Sequence, residues 1–120
     1  MPIRAPLLTL DQQRGMLRAL AALHMHGFIH GDARSDNCII FPTTIENKYK
    51  WVDFVAVDFL PIPELIRQDV LVFLKSINKG NTVTVASLHR YSENITTTWK
   101  SYLLMRNDFI DGVLLPTPQR

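Results

Sequence analysis

The chain has 120 residues, 47% of them hydrophobic and 20% charged, an ordinary globular composition that supports one modest core and sets a ceiling of one domain. Thirteen Lys and Arg against eleven Asp and Glu give a net charge of +2, and the basic residues are scattered with no stripe that would track a phosphate backbone, which argues against nucleic-acid binding. No apolar run approaches the roughly 18 residues needed to span a bilayer, and Met1-Pro2-Ile3-Arg4-Ala5-Pro6 lacks the apolar core of a secretory signal. An intracellular protein, cytoplasmic or nuclear and without membrane association, is expected.

From Thr9 to about Met25 the residues Leu10, Met16, Leu17, Leu20, Ala21 and Leu23 recur at helical spacing, which predicts a helix with one buried stripe. Thr9 and Gln12 form a potential capping box at its start, and Gly27 supplies a left-handed stop at its end. After a polar loop, Cys38 to Phe41 and Tyr49 to about Phe54 are bulky or β-branched and predict an antiparallel hairpin. The single cysteine, Cys38, falls within an apolar run and reads as a small buried residue rather than a nucleophile.

Leu60-Pro61-Ile62-Pro63 marks a loop, because each proline removes a ladder donor. Glu64 to about Asn78 carries apolar residues over more than half of a helical circumference, as a buried central helix does, and Lys79-Gly80-Asn81 ends it. Thr82 to Leu88 reads as a strand or an irregular crossing, and Ser92 to about Met105 as a helix capped by Ser92. The tail from Asn107 to Arg120, with Pro116 and Pro118, reads as loop or flexible end.

The residues with the most chemical content are His30-Gly31-Asp32-Ala33-Arg34-Ser35-Asp36-Asn37, an H-G-D-x-R-x-x-N run on the loop between the first helix and the hairpin. Catalytic groups are commonly mounted on such loops. Together with Trp51-Val52-Asp53-Phe54 and with Asp69, which opens Asp69-Val70-Leu71-Val72-Phe73-Leu74, this run resembles the C-terminal lobe of the protein-kinase-like superfamily. The glycine before Asp32 is similar to that of aminoglycoside-phosphotransferase-like kinases and of Crinkler-type kinase domains. The likeness is strongest over residues 9 to 78.

The resemblance implies a set of roles. A kinase needs a carboxylate to orient and deprotonate the attacking hydroxyl, and metal ions to neutralise the transferring phosphoryl group. Asp32 corresponds to the base, Arg34 to a cation near the γ-phosphate of ATP, and Asn37 with Asp53 to the Mg²⁺ and nucleotide ligands. His30 and Asp69 correspond to structural residues that organise the loop. Taken alone, Asp32 and Asn37 could equally cap local backbone groups. A second Asp-Phe pair, Asp58-Phe59, competes for the metal role; Asp53 is preferred because it lies sixteen residues from both Asn37 and Asp69. His24, His26 and His30 invite a zinc reading, but residues two apart on a helix face different directions.

The chain also departs from the family. The five glycines form no G-x-G-x-x-G, and nothing corresponds to the strand lysine and helix glutamate of a kinase N-terminal lobe. The expectation is therefore a mainly α protein with a small antiparallel β-hairpin, a single partial kinase-like C-lobe over residues 1–120. Its function would be a phosphotransferase fragment, completed by an N-lobe or a partner. The alternatives are an inactive, pseudokinase-type binding module, whose exposed cleft face is covered by a protein partner or by a second copy, and a truncated piece without independent function.

Overall fold

Thr9 opens the first helix by the reciprocal cap that the sequence predicts. Its hydroxyl accepts the Gln12 N–H at 3.1 Å while Gln12 Oε1 accepts the Thr9 N–H at 2.9 Å, so two otherwise orphaned donors are satisfied. The helix, α1, runs Leu10–Met25. It stops where Gly27 adopts φ 86°, a conformation that strains residues with a side chain. Its buried face is Met16, Leu17, Leu20, Ala21 and His24, so the stripe continues into a histidine, while Leu23 is only partly buried. The computed structural model describes residues 8–55, 62–97 and 107–115. Over these it is mainly helical with one two-stranded antiparallel sheet, as expected from the sequence.

The hairpin pairs β1 (Cys38–Pro42) with β2 (Asn47–Trp51) in the register Cys38 to Trp51 through Pro42 to Asn47. Alternation turns Cys38 and Ile40 toward α1 and leaves Ile39 and Phe41 exposed. The second strand begins earlier than predicted and ends at Trp51 rather than Phe54. The Val52 N–H still donates to the Asn37 carbonyl at 2.8 Å, the next pair of the same register, but Asp53 takes φ 58°, which no strand accommodates, and the extended run stops there. Two contacts dock the hairpin on α1: the Trp51 indole N–H donates to the Met16 carbonyl at 3.1 Å, and the Tyr49 ring lies over Gly15, where any Cβ would overlap it. Cys38 is 4% exposed, and burial pushes its thiol up to about 12, as an inert core residue requires.

Helix α2 (Pro63–Ser76) starts on a proline, whose fixed φ and missing N–H suit the first helical position. It buries Ile66, Asp69, Val70, Phe73 and Leu74, each apolar member of which contributes about 1.5–3 kcal/mol of transfer free energy. The buried face is narrower than predicted, since Leu65 is exposed. The left-handed residue after the helix is Asn78 (φ 63°), not Gly80; asparagine tolerates that region because its side chain is short and polar.

The C-terminal half corrects three expectations. Thr82 to Leu88 is neither strand nor crossing: Thr84 Oγ1 accepts the Ser87 N–H at 3.0 Å and starts α3, which runs Val85–Thr97. Ser92, expected as the cap, is a buried mid-helix residue that donates to the His89 carbonyl at 3.1 Å and accepts from Arg67 at 2.9 Å. The predicted end at Met105 falls outside the described residues. Asn107–Leu114, expected as a flexible tail, forms helix α4. It buries Ile110, Val113 and Leu114 and is pinned to α1 by the Arg14 guanidinium, which forks onto Asp111 at 2.8 and 2.9 Å. The core thus lies between α1 and α2, closed by the hairpin on one side and by α3 and α4 on the other.

Candidate functional site

The loop from His30 to Asn37 is fixed by hydrogen bonds to helix α2 and to the segment that follows β2. His30 is fully buried; its Nε2–H donates to the Val52 carbonyl at 2.6 Å while its Nδ1 accepts the Asp32 N–H at 3.0 Å. The ring lies 4.6 Å from Phe54 and edge-on to Trp51 at 5.4 Å. Gly31 adopts φ 92°, which only glycine accepts at little cost. A 3₁₀ turn at Ser35–Asn37 is anchored where the Ser35 N–H donates to Ser76 Oγ at 2.9 Å. The loop therefore presents Asp32 on a rigid backbone, as a positioned catalytic group requires.

Asp69 supports the loop from behind. Its Oδ2 accepts the His30 N–H at 2.7 Å and its Oδ1 accepts the Gly31 N–H at 3.0 Å. The same Oδ2 accepts from His24 Nε2 at 2.9 Å. Burial alone would raise the Asp69 carboxyl, but the His24 hydrogen bond and the two backbone donors together hold it below the ordinary carboxylate value. Asp69 is ionised, and its charge is spent on the loop.

On the outward side three predicted residues meet. Arg34 forks onto Asp32, Nε to Oδ1 at 3.0 Å and a terminal nitrogen to Oδ2 at 3.2 Å. Asn37 Nδ2 donates to both the Asp32 carbonyl (2.8 Å) and Asp32 Oδ2 (3.1 Å), leaving Asn37 Oδ1 as the atom able to face a cation. The Arg34 hydrogen bond is the largest influence holding the partly exposed Asp32 carboxyl below its usual value, with Asn37 adding to it.

Asp53 stands apart from this trio. Its exposed carboxylate makes no hydrogen bond or ion pair with Asp32, Arg34 or Asn37. What places it nearby is backbone: Val52, its predecessor, exchanges bonds with Asn37 and His30, and the Val55 N–H donates to the His30 carbonyl at 3.0 Å. Its rival Asp58 lies outside the described residues. Among the described residues no group of three or more His, Cys, Asp or Glu could hold a metal. The donor set of Asn37 and Asp53, one amide oxygen and one carboxylate, fits a hard cation that keeps water and phosphate oxygens as further ligands. The three histidines are engaged separately, His26 on the Ala22 carbonyl at 2.7 Å. A cleft of about 470 Å³ between α1 and the hairpin turn, lined by Arg14, Arg18, Glu46 and Tyr49 among others, contains none of the predicted site residues.

Sequence reasoning missed His24 and Tyr91. The Tyr91 hydroxyl lies 3.0 Å from His24 Nδ1, and both side chains are buried. The available signal was position: His24 falls four residues after Leu20 on the apolar stripe of α1, where a polar group must have a buried partner. No family model, curated protein or solved structure matches the chain. Among the described residues no helix is long and apolar enough to cross a membrane.

Proposed function

We propose that this chain is a kinase-like phosphotransferase element of the atypical, H-G-D type, in which ATP is the phosphoryl donor and a hydroxyl the acceptor. One observation carries the reading: Asn37 Nδ2 bridges the carbonyl and the carboxylate of Asp32 while Arg34 forks the same carboxylate. A loop residue that merely capped its own backbone would not need a cation and an amide converging on one carboxylate. In the reaction Asp32 accepts the proton of the attacking hydroxyl, whose oxygen bonds the γ-phosphorus as the bond to the ADP oxygen breaks. Arg34, half-exposed, exchanges Asp32 for the phosphoryl oxygens as negative charge builds there. Asn37 and Asp53 would hold Mg²⁺, which neutralises the phosphates when bound. The choice of Asp53 over Asp58 is supported by its φ of 58°, since a non-glycine residue held in that region costs about 1 kcal/mol and such strain gathers at functional sites.

A second reading, an inactive pseudokinase-type module, is favoured by the same fork: both Asp32 oxygens are occupied by Arg34, and Ile39 and Phe41 are exposed on the outer hairpin face, 42% and 46% respectively, where a partner could cover them. Titration of the purified chain with Mg·ATP separates the two. The enzyme reading expects Mg²⁺-dependent binding that is lost in Asp53→Asn, and turnover that falls by about 10²-fold or more in Asp32→Ala with binding retained. Binding without turnover, accompanied by a concentration-dependent increase in hydrodynamic size, selects the module; no Mg²⁺-dependent ATP binding overturns the phosphotransfer assignment.

A further inference from the structure

Three helices meet at one buried polar chain. Tyr91 on α3, His24 on α1 and Asp69 on α2 are joined through 3.0 Å and 2.9 Å contacts, and Asp69 passes the chain on to the His30 and Gly31 amides. An imidazole in this position has two possible neutral forms, and the neighbours choose between them. Asp69 is a carboxylate that already accepts two backbone N–H groups, so it can only accept from His24, and Nε2 must carry the proton. His24 Nδ1 is then an acceptor, and the Tyr91 O–H donates to it. The charge states agree. Burial lowers the His24 ring below its ordinary value despite Asp69, and burial first, then Asp69, raises the Tyr91 phenol well above 10, so both groups are neutral at pH 7.

We propose that Tyr91 is a positioning residue for the loop that carries Asp32: its hydroxyl caps His24 Nδ1 and so holds the ring in the orientation in which Nε2–H meets Asp69, which keeps Asp69 in register with the His30 and Gly31 amides. Without the hydroxyl, the Nε2–H form persists because Asp69 still demands it, but the buried Nδ1 acceptor loses its partner. The ring is then free to turn, and a weaker Nε2–H contact loosens the carboxylate that holds the loop. The influence therefore reaches Asp32, whose own N–H is held by His30, through a path that touches neither nucleotide nor acceptor. The relevance to catalysis rests on the phosphotransfer reading above; the structural claim does not.

Tyr91→Phe is the variant of choice, because it removes one oxygen and keeps the ring that stacks on Phe109 at 5.5 Å. Phe109→Leu is the control, disturbing that stack while leaving the hydroxyl. The readouts are the imidazole nitrogen resonances of His24 and amide hydrogen exchange at His30 and Gly31. The wild-type chain is expected to show a protonated Nε2 and an unprotonated Nδ1. In Tyr91→Phe the Nδ1 resonance should shift as its hydrogen bond is lost while Nε2 stays protonated, and exchange at His30 and Gly31 should rise roughly three- to tenfold, as the loss of one hydrogen bond's net worth implies, with Leu20 unchanged. Phe109→Leu should leave the His24 pattern intact. A wild-type Nδ1–H form, unchanged exchange at both amides in Tyr91→Phe, or an equal rise at Leu20 would each overturn the assignment. ATP turnover is scored separately: its absence in the wild type defeats the phosphotransfer reading and leaves the His24 result standing.

Discussion

Asp69 Oδ2 accepts the backbone N–H of His30 at 2.7 Å although thirty-nine residues separate the two in the chain. A side chain on the second helix thus sets the backbone conformation of a loop that follows the first, and the loop's geometry becomes a tertiary property. Removing that carboxylate strands the buried His30 amide, the partly buried Gly31 amide and the His24 Nε2–H at once. Asp69→Ala is expected to cost about 3 kcal/mol or more, measured as a fall in the urea midpoint at pH 7. Asp111→Ala, which breaks the partly exposed fork with Arg14, should move the midpoint far less.

Stability should fall as the solution is acidified, in two stages with different owners. The folded His24 ring titrates below the ordinary histidine value of 6.5 because burial opposes its charge. The unfolded chain then binds a proton before the folded one does, so stability is full above about pH 6.5 and declines as pH falls through the folded value. Asp69, also lowered in the folded state, contributes stability that is present above the ordinary aspartate value of 3.8 and lost as pH falls through the folded value. In His24→Gln the decline that starts below pH 6.5 should flatten while the lower stage remains, as read from urea midpoints across pH 4 to 8. An unchanged upper slope would remove His24 as its source.

Arg34 tunes the carboxylate that it contacts. Because its hydrogen bond is the main influence lowering the Asp32 carboxyl, Arg34→Ala should let that group return toward the ordinary aspartate value of 3.8. If Asp32 acts as a base it must be ionised, so the acid limb of the turnover profile should move to higher pH in the variant. The rate on the plateau should also drop by roughly 10- to 100-fold through lost charge stabilisation. Arg34→Lys should recover part of the rate but little of the two-point contact.

Asp53 offers a test in which stability and function move in opposite directions. Glycine adopts φ 58° without the steric cost that aspartate bears. Asp53→Gly is therefore expected to leave the stability read from urea unfolding unchanged or raise it by up to about 1 kcal/mol, while abolishing Mg²⁺-dependent nucleotide binding. A clear loss of stability would mean that the side chain holds the fold rather than a ligand.

How far these features can be read in the sequence depends on the range of the interaction behind them. The Thr9 and Gln12 cap, the stop at Gly27 and the hairpin all follow from neighbours a few residues apart, and the structure has them. The α3 start was missed because the β-branched Thr82, Val83, Thr84 and Val85 read as strand and left Ser92 as the cap, whereas Thr84 starts the helix and Tyr91 and Ile95 are buried along it. Helix α4 was hidden by its shortness and by the prolines beyond it, although Phe109, Ile110, Val113 and Leu114 already carry the one-sided spacing of a packed helix. In the candidate site, Asp32, Arg34 and Asn37 could be grouped because a five-residue span brings them together. The dependence of Asp69 on His24, and of His24 on Tyr91, spans 45 and 67 residues, and no local pattern encodes such pairings.

Cys38 gives the molecule a built-in reporter. Its thiol is shielded at the head of β1, directly after Asn37, and at about 12 is almost wholly protonated near neutrality. Maleimide or iodoacetamide should therefore couple only during excursions in which the hairpin lifts from α1, and the uptake of label clocks those openings at the strand adjoining the proposed magnesium ligand. A cysteine introduced at the hairpin tip in place of Ile45 could meanwhile be tagged selectively, with the native sulfur silent in the background.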